Sequence, residues 1–211
     1  MPSLELEIQR EQLWNRRFDP NVADINQLCD SLKELKPGSS VPYVDPMHDV
    51  GECRIISLYS SVGTAADSGY ISAGDDDAAT RMLGVYWQVG LKPEYVMPWN
   101  AYPWFVPGEP NGRLTKEQIA EGVKPLLKFL ALVPRASAIV AHGTEAHRLA
   151  AAFLKTENRM IYRRSFKTYK VRAADSRGLG GSVARQEQGL EEMHVAYADA
   201  MARTGLAALN R

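Results

Sequence analysis

Short apolar runs alternate along this chain with longer amphipathic stretches, and this alternation constrains the fold more than any other feature. Residues 53–59 and 137–141 have the length and apolar content of buried strands, and residues 94–97 form a shorter run of the same kind. A fourth strand is predicted at residues 159–162. Strands separated by helical stretches predict an α/β fold with three layers, αβα, around a central four-stranded, mostly parallel sheet.

The helical stretches lie between and around these strands. Their apolar residues recur every three or four positions, which is the spacing of one face of an amphipathic helix. Helices are predicted at 5–17, 22–35, 76–89, 115–132, 144–154 and 182–203. The first two form an N-terminal helical segment, residues 1–38, and the last is the C-terminal helix. We expect the 211 residues to form one domain, 1–211, because domains run to roughly 100–200 residues.

Composition and charge exclude several classes of protein. No apolar run approaches the roughly 20 residues that span a bilayer, so we expect no membrane partner. The two cysteines, Cys29 and Cys53, form no C-x-x-C pair and are interpreted as buried thiols, which is typical of a cytoplasmic protein. The 25 basic and 25 acidic residues balance, so net charge indicates no partner. We expect a cytoplasmic monomer.

Four segments of unusual composition follow the predicted strands. They are residues 60–70, rich in Gly and Ser; residues 98–104, rich in Pro and Trp; residues 142–144; and the basic segment after residue 162. In an open parallel sheet, ligands bind outside the carboxyl ends of the strands. We therefore expect the four segments to converge on one binding site.

The Gly- and Ser-rich segment matches no nucleotide-binding loop. Its small residues permit a ligand to approach the backbone, but it contains neither a Walker motif nor G-x-G-x-x-G. A plain connection between strand and helix explains it equally well. The acidic run Asp75, Asp76 and Asp77 opens a helix, where carboxylates cap the backbone and favour the helix dipole. We predict capping there and no metal site.

Asn100 lies within the densest aromatic segment of the chain, residues 98–105. Its amide offers donors and an acceptor, and flat rings beside it would stack on a base, which is typical of a pocket for a flipped nucleobase. Aromatic residues that only support the core would give the same composition. The four histidines are scattered, and a structural role is the simpler interpretation of each. His142 alone stands at the end of a central strand, where a histidine reaches a site.

The order of these segments resembles the uracil-DNA glycosylase superfamily, in particular its compact bacterial members. The resemblance rests on residues 41–46, 55–59, 68–70 and 98–104, and it covers roughly residues 40–181. Its most specific part is the Trp-Asn-x-x-Pro-Trp sequence that contains Asn100. The resemblance implies a four-stranded parallel sheet between helices. It also implies hydrolysis of the bond between base and deoxyribose in a flipped-out nucleotide, without a metal or an organic cofactor.

The resemblance further implies a catalytic role for four residues. Ser61 stands where the family has the residue that positions water, and Asp67 is the nearest carboxylate that could replace it. Lys170 stands nearest to the family's histidine, which faces the leaving base. A lysine there would stabilise the negative charge that builds on a departing pyrimidine. Asn100 is the fourth of these residues.

The same resemblance implies a set of base-binding residues. Tyr70 corresponds to the aromatic residue that stacks on the flipped base, and Asn100 corresponds to the amide that reads the edge of the base. The full predicted set is Gly63, Tyr70, Trp99, Asn100 and His142.

Eight basic residues and only two acidic ones occupy residues 155–177. On charge alone, a solvated helical face explains this basic stretch. Beside the family resemblance it predicts contacts with DNA phosphates. The predicted DNA-binding residues are Arg163, Arg164, Lys167, Arg172, Ser176 and Arg177.

The chain is therefore expected to be a monofunctional DNA glycosylase that leaves an abasic site. Its departures from the family at Ser61 and Lys170, and the small residues of the 60–70 segment, favour a bulkier base than uracil. A modified pyrimidine in phage DNA, such as glucosylated hydroxymethylcytosine, fits an antiviral role. A uracil-DNA repair glycosylase and a catalytically inactive DNA-binding member are the alternatives. A small-molecule hydrolase would leave the basic stretch without a role.

Overall fold

A parallel sheet of four strands forms the centre of the molecule. The computed structural model describes residues 4–61, 68–107 and 113–208. The strands are β1 Ile55–Ser61, β2 Val96–Tyr102, β3 Ala138–His142 and β4 Lys167–Val171. The helices are α1 Leu4–Asn15, α2 Ala23–Leu35, α3 Asp76–Val89, α4 Lys116–Leu132, α5 Gly143–Leu154, α6 Arg159–Arg163, α7 Ser176–Leu179 and α8 Val183–Arg203.

The strand order is β2-β1-β3-β4, and each neighbouring pair is parallel. This arrangement confirms the predicted three-layer α/β fold. Every residue of β2 and β3 is buried, because helices cover both faces of the sheet. No helix within the described ranges is long and apolar enough to cross a membrane.

The sheet separates two hydrophobic cores. Side chains alternate along a strand, so Ile56 and Leu58 of β1 join the core that includes α2, α4 and α5. Ile55 and Tyr59 point the other way, into the core built with α3 and α8. We call these two sides the α4 face and the α8 face of the sheet.

Two predicted elements were wrong. Residues 98–102 continue β2 instead of forming a loop, because Trp99 packs into the core of the α4 face and the backbone pairs with β1. Residues 159–162 lie in helix α6, whose first turn is capped by the Asn158 side chain. The fourth strand is β4, an edge strand that is mostly exposed and so lacks an apolar run.

Local signals at helix ends behave as the sequence predicts. The Asp75 carboxylate caps α3 by accepting from the Ala78 N–H at 2.8 Å, which confirms the capping interpretation. Thr115 and Gln118 form a reciprocal capping box at the start of α4. Gly122 in α4 lies so close to the Ala101 carbonyl that any side chain would clash, which brings α4 directly onto β2.

Candidate active site

The carboxyl ends of the neighbouring strands β2, β1 and β3 bring Asn100, Tyr59 and His142 into one row. Tyr59 of β1 pairs with Asn100 of β2, and the neighbouring pair Leu58–Ala141 places His142 on the other side of Tyr59. The Tyr59 and His142 rings are 5.0 Å apart between centroids. All three side chains lie on the α8 face, because side chains alternate along each strand.

The side-chain amide of Asn100 is buried, but it makes no hydrogen bond to the described residues. It is 1% exposed, and neither Oδ1 nor Nδ2 has a hydrogen-bond partner among the described residues. A buried polar group left in this way costs about 1–3 kcal/mol, and such groups are rare in folded proteins. An unbonded donor and acceptor at the carboxyl end of a parallel sheet are suited to a ligand with a complementary polar edge.

Trp99 does not share the surroundings of Asn100. Its ring faces the opposite side of the sheet and stacks on Phe129 of α4, with centroids 4.3 Å apart and planes inclined by 19°. The prediction that Trp99 binds the base is therefore not supported by its position. The position of Trp99 agrees with the alternative interpretation of the aromatic segment, in which the rings pack in the core.

Tyr70 lies under the N-terminal helix. Its hydroxyl donates to the Leu13 carbonyl at 2.9 Å, and its ring makes an edge contact with Trp14 at 6.1 Å. Gly69, in a left-handed conformation, leaves room for the same Trp14 ring. Tyr70 is thus held in place by α1, and only 8% of its surface is exposed.

Two of the predicted site residues, Gly63 and Asp67, fall in the segment between residues 61 and 68, outside the described part of the chain. The backbone of Ser61 closes β1 and pairs with Tyr102 at the end of β2. Ser61 therefore lies at the carboxyl end of the sheet. It is two residues further along β1 than Tyr59.

His142 is a buried, neutral histidine. Burial lowers its pKa to about 3, although the Arg172 backbone opposes that effect. Its Nε2 lies 2.8 Å from the Tyr197 hydroxyl, and the hydrogen bonds continue to Ser57, Tyr86 and Tyr59. The sequence analysis missed this network, whose trace in the sequence is the pair of polar side chains at positions 57 and 59 within the predicted strand 53–59.

A cleft of about 820 Å³ opens beside this row, at the carboxyl ends of β1, β3 and β4. Four cations line it, together with two acidic residues and the first turn of α5. The cations are Arg113, Lys170, Arg172 and Arg185, and the acids are Glu145 and Glu192. Arg172 is paired with Glu192 at 3.3 Å, and the exposed Lys170 has no ion pair among the described residues. Sequence reasoning missed Arg113 and Arg185, because both lie outside the basic stretch.

The basic stretch does not form one surface. Arg163, Arg164 and Lys167 lie at or before the start of β4, whereas Lys170 and Arg172 lie at its end, roughly 10 Å further along the strand. Parallel strands place their starts and ends at opposite edges of the sheet. Only the second group therefore reaches the cleft, and the contacts of either group with DNA stay a prediction.

The first group also has partners within the fold. The Arg164 guanidinium donates to the carbonyls of Leu130 and Val133, both at 2.9 Å, and so ties α6 to the end of α4. Lys167 is paired with Asp199 at 2.8 Å. Arg163 is exposed on α6. Ser176 and Arg177, in the first turn of α7, are described by their backbone alone.

His147 and His48 have structural roles. The His147 Nε2 contacts the carbonyls of Ala141 and Val171, at 3.0 and 2.8 Å, and so joins the ends of β3 and β4. The His48 Nδ1 lies 2.7 Å from the Val96 carbonyl. Among the described residues, no group of three or more metal-ligating side chains occurs.

Comparison with known proteins found no matching family model and no matching curated protein. The class that the fold defines is a three-layer α/β protein, and a cleft lined by polar and charged side chains lies at the carboxyl end of its sheet.

Proposed function

We propose that this protein is a DNA glycosylase that hydrolyses the bond between a flipped base and its deoxyribose. The observation that carries the proposal is the Asn100 amide, which is buried at the carboxyl end of β2 with its donor and acceptor unbonded among the described residues. A base edge supplies the complementary acceptor and donor. The sequence resemblance assigns base reading to this same residue.

The cleft at the carboxyl ends of β1, β3 and β4 is the proposed binding site for the DNA strand. Ser60 and Gly143 line the cleft, and they directly follow Tyr59 and His142 along the chain. Lysine and arginine side chains hold phosphates without reading sequence. We propose that Arg113, Lys170, Arg172 and Arg185 hold the strand on either side of the flipped nucleotide.

The reaction needs water on one side of the sugar and charge stabilisation on the other. Ser61, or Asp67 in the segment that follows it, would position the water. Lys170 would balance the negative charge on the departing base, since a cation in a cleft stabilises developing charge. No metal or organic cofactor enters this scheme, and the proposed setting is the cytoplasm.

The proposed substrate is a modified pyrimidine, such as glucosylated hydroxymethylcytosine in phage DNA, and the proposed role is antiviral. Ser61 and Lys170 are departures in two of the three family motifs, and small residues dominate the segment after β1. Uracil repair is the second candidate, and binding of DNA without catalysis is the third. The neutral Ser61 favours the third, because it cannot offset positive charge on the sugar.

A base-release assay tests the proposal. Purified protein is incubated with DNA containing uracil, hypoxanthine or hydroxymethyluracil, and with phage genomes carrying hydroxymethylated or glucosylated cytosine. Alkali-sensitive breaks report abasic sites. Breaks confined to phage DNA support the proposed substrate, breaks in uracil DNA support repair, and binding without breaks on any DNA overturns the enzymatic function.

Three variants connect the assay to the site. Asn100→Ala and Lys170→Ala are expected to abolish base release, because they remove the base-reading amide and the leaving-group cation. Lys124→Ala, on the exposed side of α4, is the matched control and should retain activity. Full activity in both site variants would contradict the assigned roles.

A further inference from the structure

The outer side of α3 presents two large apolar residues to solvent. Trp87 is 82% exposed and Leu83 is 56% exposed. They are four residues apart, so they are neighbours on one side of the helix, opposite the buried residues Ala78, Met82 and Val85. Tryptophan is enriched at the centres of protein interfaces, so this pair is a candidate contact surface.

The same side of α3 is acidic where the helix begins. Asp76, Thr80, Leu83 and Trp87 are all exposed and lie within about 60° of one another around the helix axis. Asp76 has no ion pair among the described residues, whereas its neighbour Asp77 is paired with Arg81 at 3.5 Å. We call residues 76, 80, 83 and 87 the α3 stripe. The stripe is acidic at one end and apolar at the other.

Gly84 lies beside the α3 stripe, between Leu83 and Trp87 along the chain. A Cβ atom added there would meet no described atom within 4 Å, so packing inside the molecule does not require a glycine. Glycine inside a helix costs about 1 kcal/mol relative to alanine. Its absent side chain lets another surface approach Leu83 and Trp87 closely.

A groove of about 510 Å³ lies between α2 and α4. Its lining is mainly apolar and consists of Leu32, Leu35, Trp104, Ala120 and Pro125. We call it the α2–α4 groove. Helices α2 and α4 belong to the α4 face of the sheet, and α3 belongs to the α8 face. A molecule therefore cannot place its own α3 stripe in its own groove.

Two lysines give the α2–α4 groove a positive rim. Lys124 and Lys128 are exposed one helical turn apart on α4, and neither has an ion pair among the described residues. The other charged residues of the groove, Lys36 and Glu121, neutralise each other at 2.6 Å. An apolar groove with a positive rim complements a stripe that combines apolar residues with an unpaired aspartate.

We propose that the α3 stripe of one copy of this protein binds in the α2–α4 groove of a second copy. Leu83 and Trp87 contact the apolar lining, and Asp76 lies beside the lysines of the rim. The groove falls within the roughly 300–1,000 Å³ of pockets that enclose ligands, so it has room for these two side chains. This association goes beyond the proposed glycosylase function and does not depend on it.

The contact joins two different surfaces, so it is heterologous and the copies associate head to tail. Such a contact repeats from copy to copy and builds a ring or an open filament. Two apolar side chains and one ion pair bury less than the roughly 1,600 Å² of a standard interface, so we expect the association to be weak. It replaces the monomer that the sequence analysis expects.

Sedimentation velocity of the unmodified protein measures the association. We expect the average sedimentation coefficient to rise as the protein concentration increases from about 10 μM to 1 mM, the range of a weak contact. A coefficient that stays at the monomer value over this whole range would overturn the proposal.

A mixture of two variants tests the head-to-tail arrangement. Trp87→Ala removes the apolar end of the α3 stripe and leaves the groove intact. Lys124→Glu combined with Lys128→Glu reverses the rim and leaves the stripe intact. Each protein alone should self-associate at least roughly tenfold more weakly than the unmodified protein. Mixed in equal amounts they should form a heterodimer, because the groove of the first accepts the stripe of the second, and a mixture that stays monomeric would overturn the arrangement.

A charge exchange tests the pairing of Asp76 with the rim. Asp76→Lys should weaken the association by itself, and a chain that also carries Lys124→Glu and Lys128→Glu should recover it, because the opposite charges meet again. A chain with all three changes that associates no better than Asp76→Lys would contradict this pairing. Recovery is not expected if these residues only stabilise their own helices.

Tyr162→Ala is the matched control for Trp87→Ala. Tyr162, on α6, is 66% exposed, so its replacement removes an exposed aromatic side chain from a different surface. The control should associate like the unmodified protein, and both variants should keep its melting temperature because the replaced side chains are exposed. Equal weakening by Tyr162→Ala and Trp87→Ala would show nonspecific association and overturn the assignment to the α3 stripe.

Discussion

Two asparagines are enclosed in different regions of this molecule, and they differ in their hydrogen bonding. Asn26, in α2, is 0% exposed; its amide donates to the carbonyls of Arg17 and Val44 and accepts from the Val44 N–H. Asn100, at the carboxyl end of the sheet, is 1% exposed and makes no hydrogen bond to the described residues. A fully bonded buried amide stabilises the fold, whereas an unbonded one lowers stability, and we propose that a ligand supplies the missing partners of Asn100.

The same contrast extends to charged groups. Lys167, at the start of β4, is paired with Asp199, whereas Lys170, near the end of that strand, faces the cleft without an ion pair among the described residues. We propose that Asn100 and Lys170 lack such partners because they contact a ligand. Each prediction below tests one member of these contrasts.

The largest effect on stability is expected for Asn26→Ala. The substitution leaves two carbonyls and one N–H of the backbone buried without partners, and each unsatisfied group costs about 1–3 kcal/mol. We expect the free energy of unfolding to fall by about 3 kcal/mol or more in urea denaturation. A loss below about 1 kcal/mol would remove the contrast with Asn100.

Acid should destabilise the protein through His142. Its pKa in the folded protein, about 3, lies below the ordinary value of 6.5, so between these values the unfolded chain binds more protons than the folded one. This stability is therefore fully present above pH 6.5 and is lost as the pH falls toward 3. The loss is up to about 1.4 kcal/mol per pH unit for this residue.

Urea denaturation between pH 4 and pH 7 measures that dependence. The buried His48, whose pKa burial also lowers, adds to the slope in the same direction. His142→Gln should therefore show a smaller slope than the unmodified protein, by about one bound proton. Identical slopes in the two proteins would contradict a buried, neutral His142.

Asn100→Ala should affect stability far less than Asn26→Ala. It removes an amide that has no partner among the described residues, so no backbone group loses a hydrogen bond. Removing an unsatisfied group is nearly neutral or stabilising, and we expect a change of about 1 kcal/mol or less in either direction. The same urea denaturation measures it. A loss as large as that of Asn26→Ala would mean that Asn100 serves the fold.

The sequence predicted the parts of this structure that local patterns encode. The buried strands β1 and β3 have continuous apolar runs, and Asp75 and Thr115 carry capping signals that depend on residues three positions away. Strand β4 escaped prediction because an exposed edge strand needs no apolar run. Asn100 was also singled out from sequence, by its aromatic segment and the family resemblance, and His142 was singled out by its place at the end of a predicted strand.

The hydrogen-bond network that joins His142, Tyr197, Ser57, Tyr86 and Tyr59 could not be predicted from local sequence patterns. The bond between Ser57 and Tyr197 joins residues 140 positions apart, and no local pattern marks a tyrosine on α8 as different from its neighbours. The sequence alone also could not show that the basic stretch divides into one group at the start of β4 and another group at its end. The division depends on which residues begin and which end β4, and that strand was predicted in the wrong place.

The smallest effect is expected for single lysines at the two ends of β4. Lys170→Ala should weaken DNA binding and reduce the slope of log K against log salt concentration by about 0.9, the value for one phosphate contact on duplex DNA. Lys167→Ala is the matched control, because its partner is Asp199 and it lies at the start of the strand, away from the cleft. Its salt dependence should equal that of the unmodified protein. Equal slopes for the two variants would show that the cleft at the end of β4 does not hold the DNA strand, whereas a difference of about one contact would assign the phosphates to that end of the sheet.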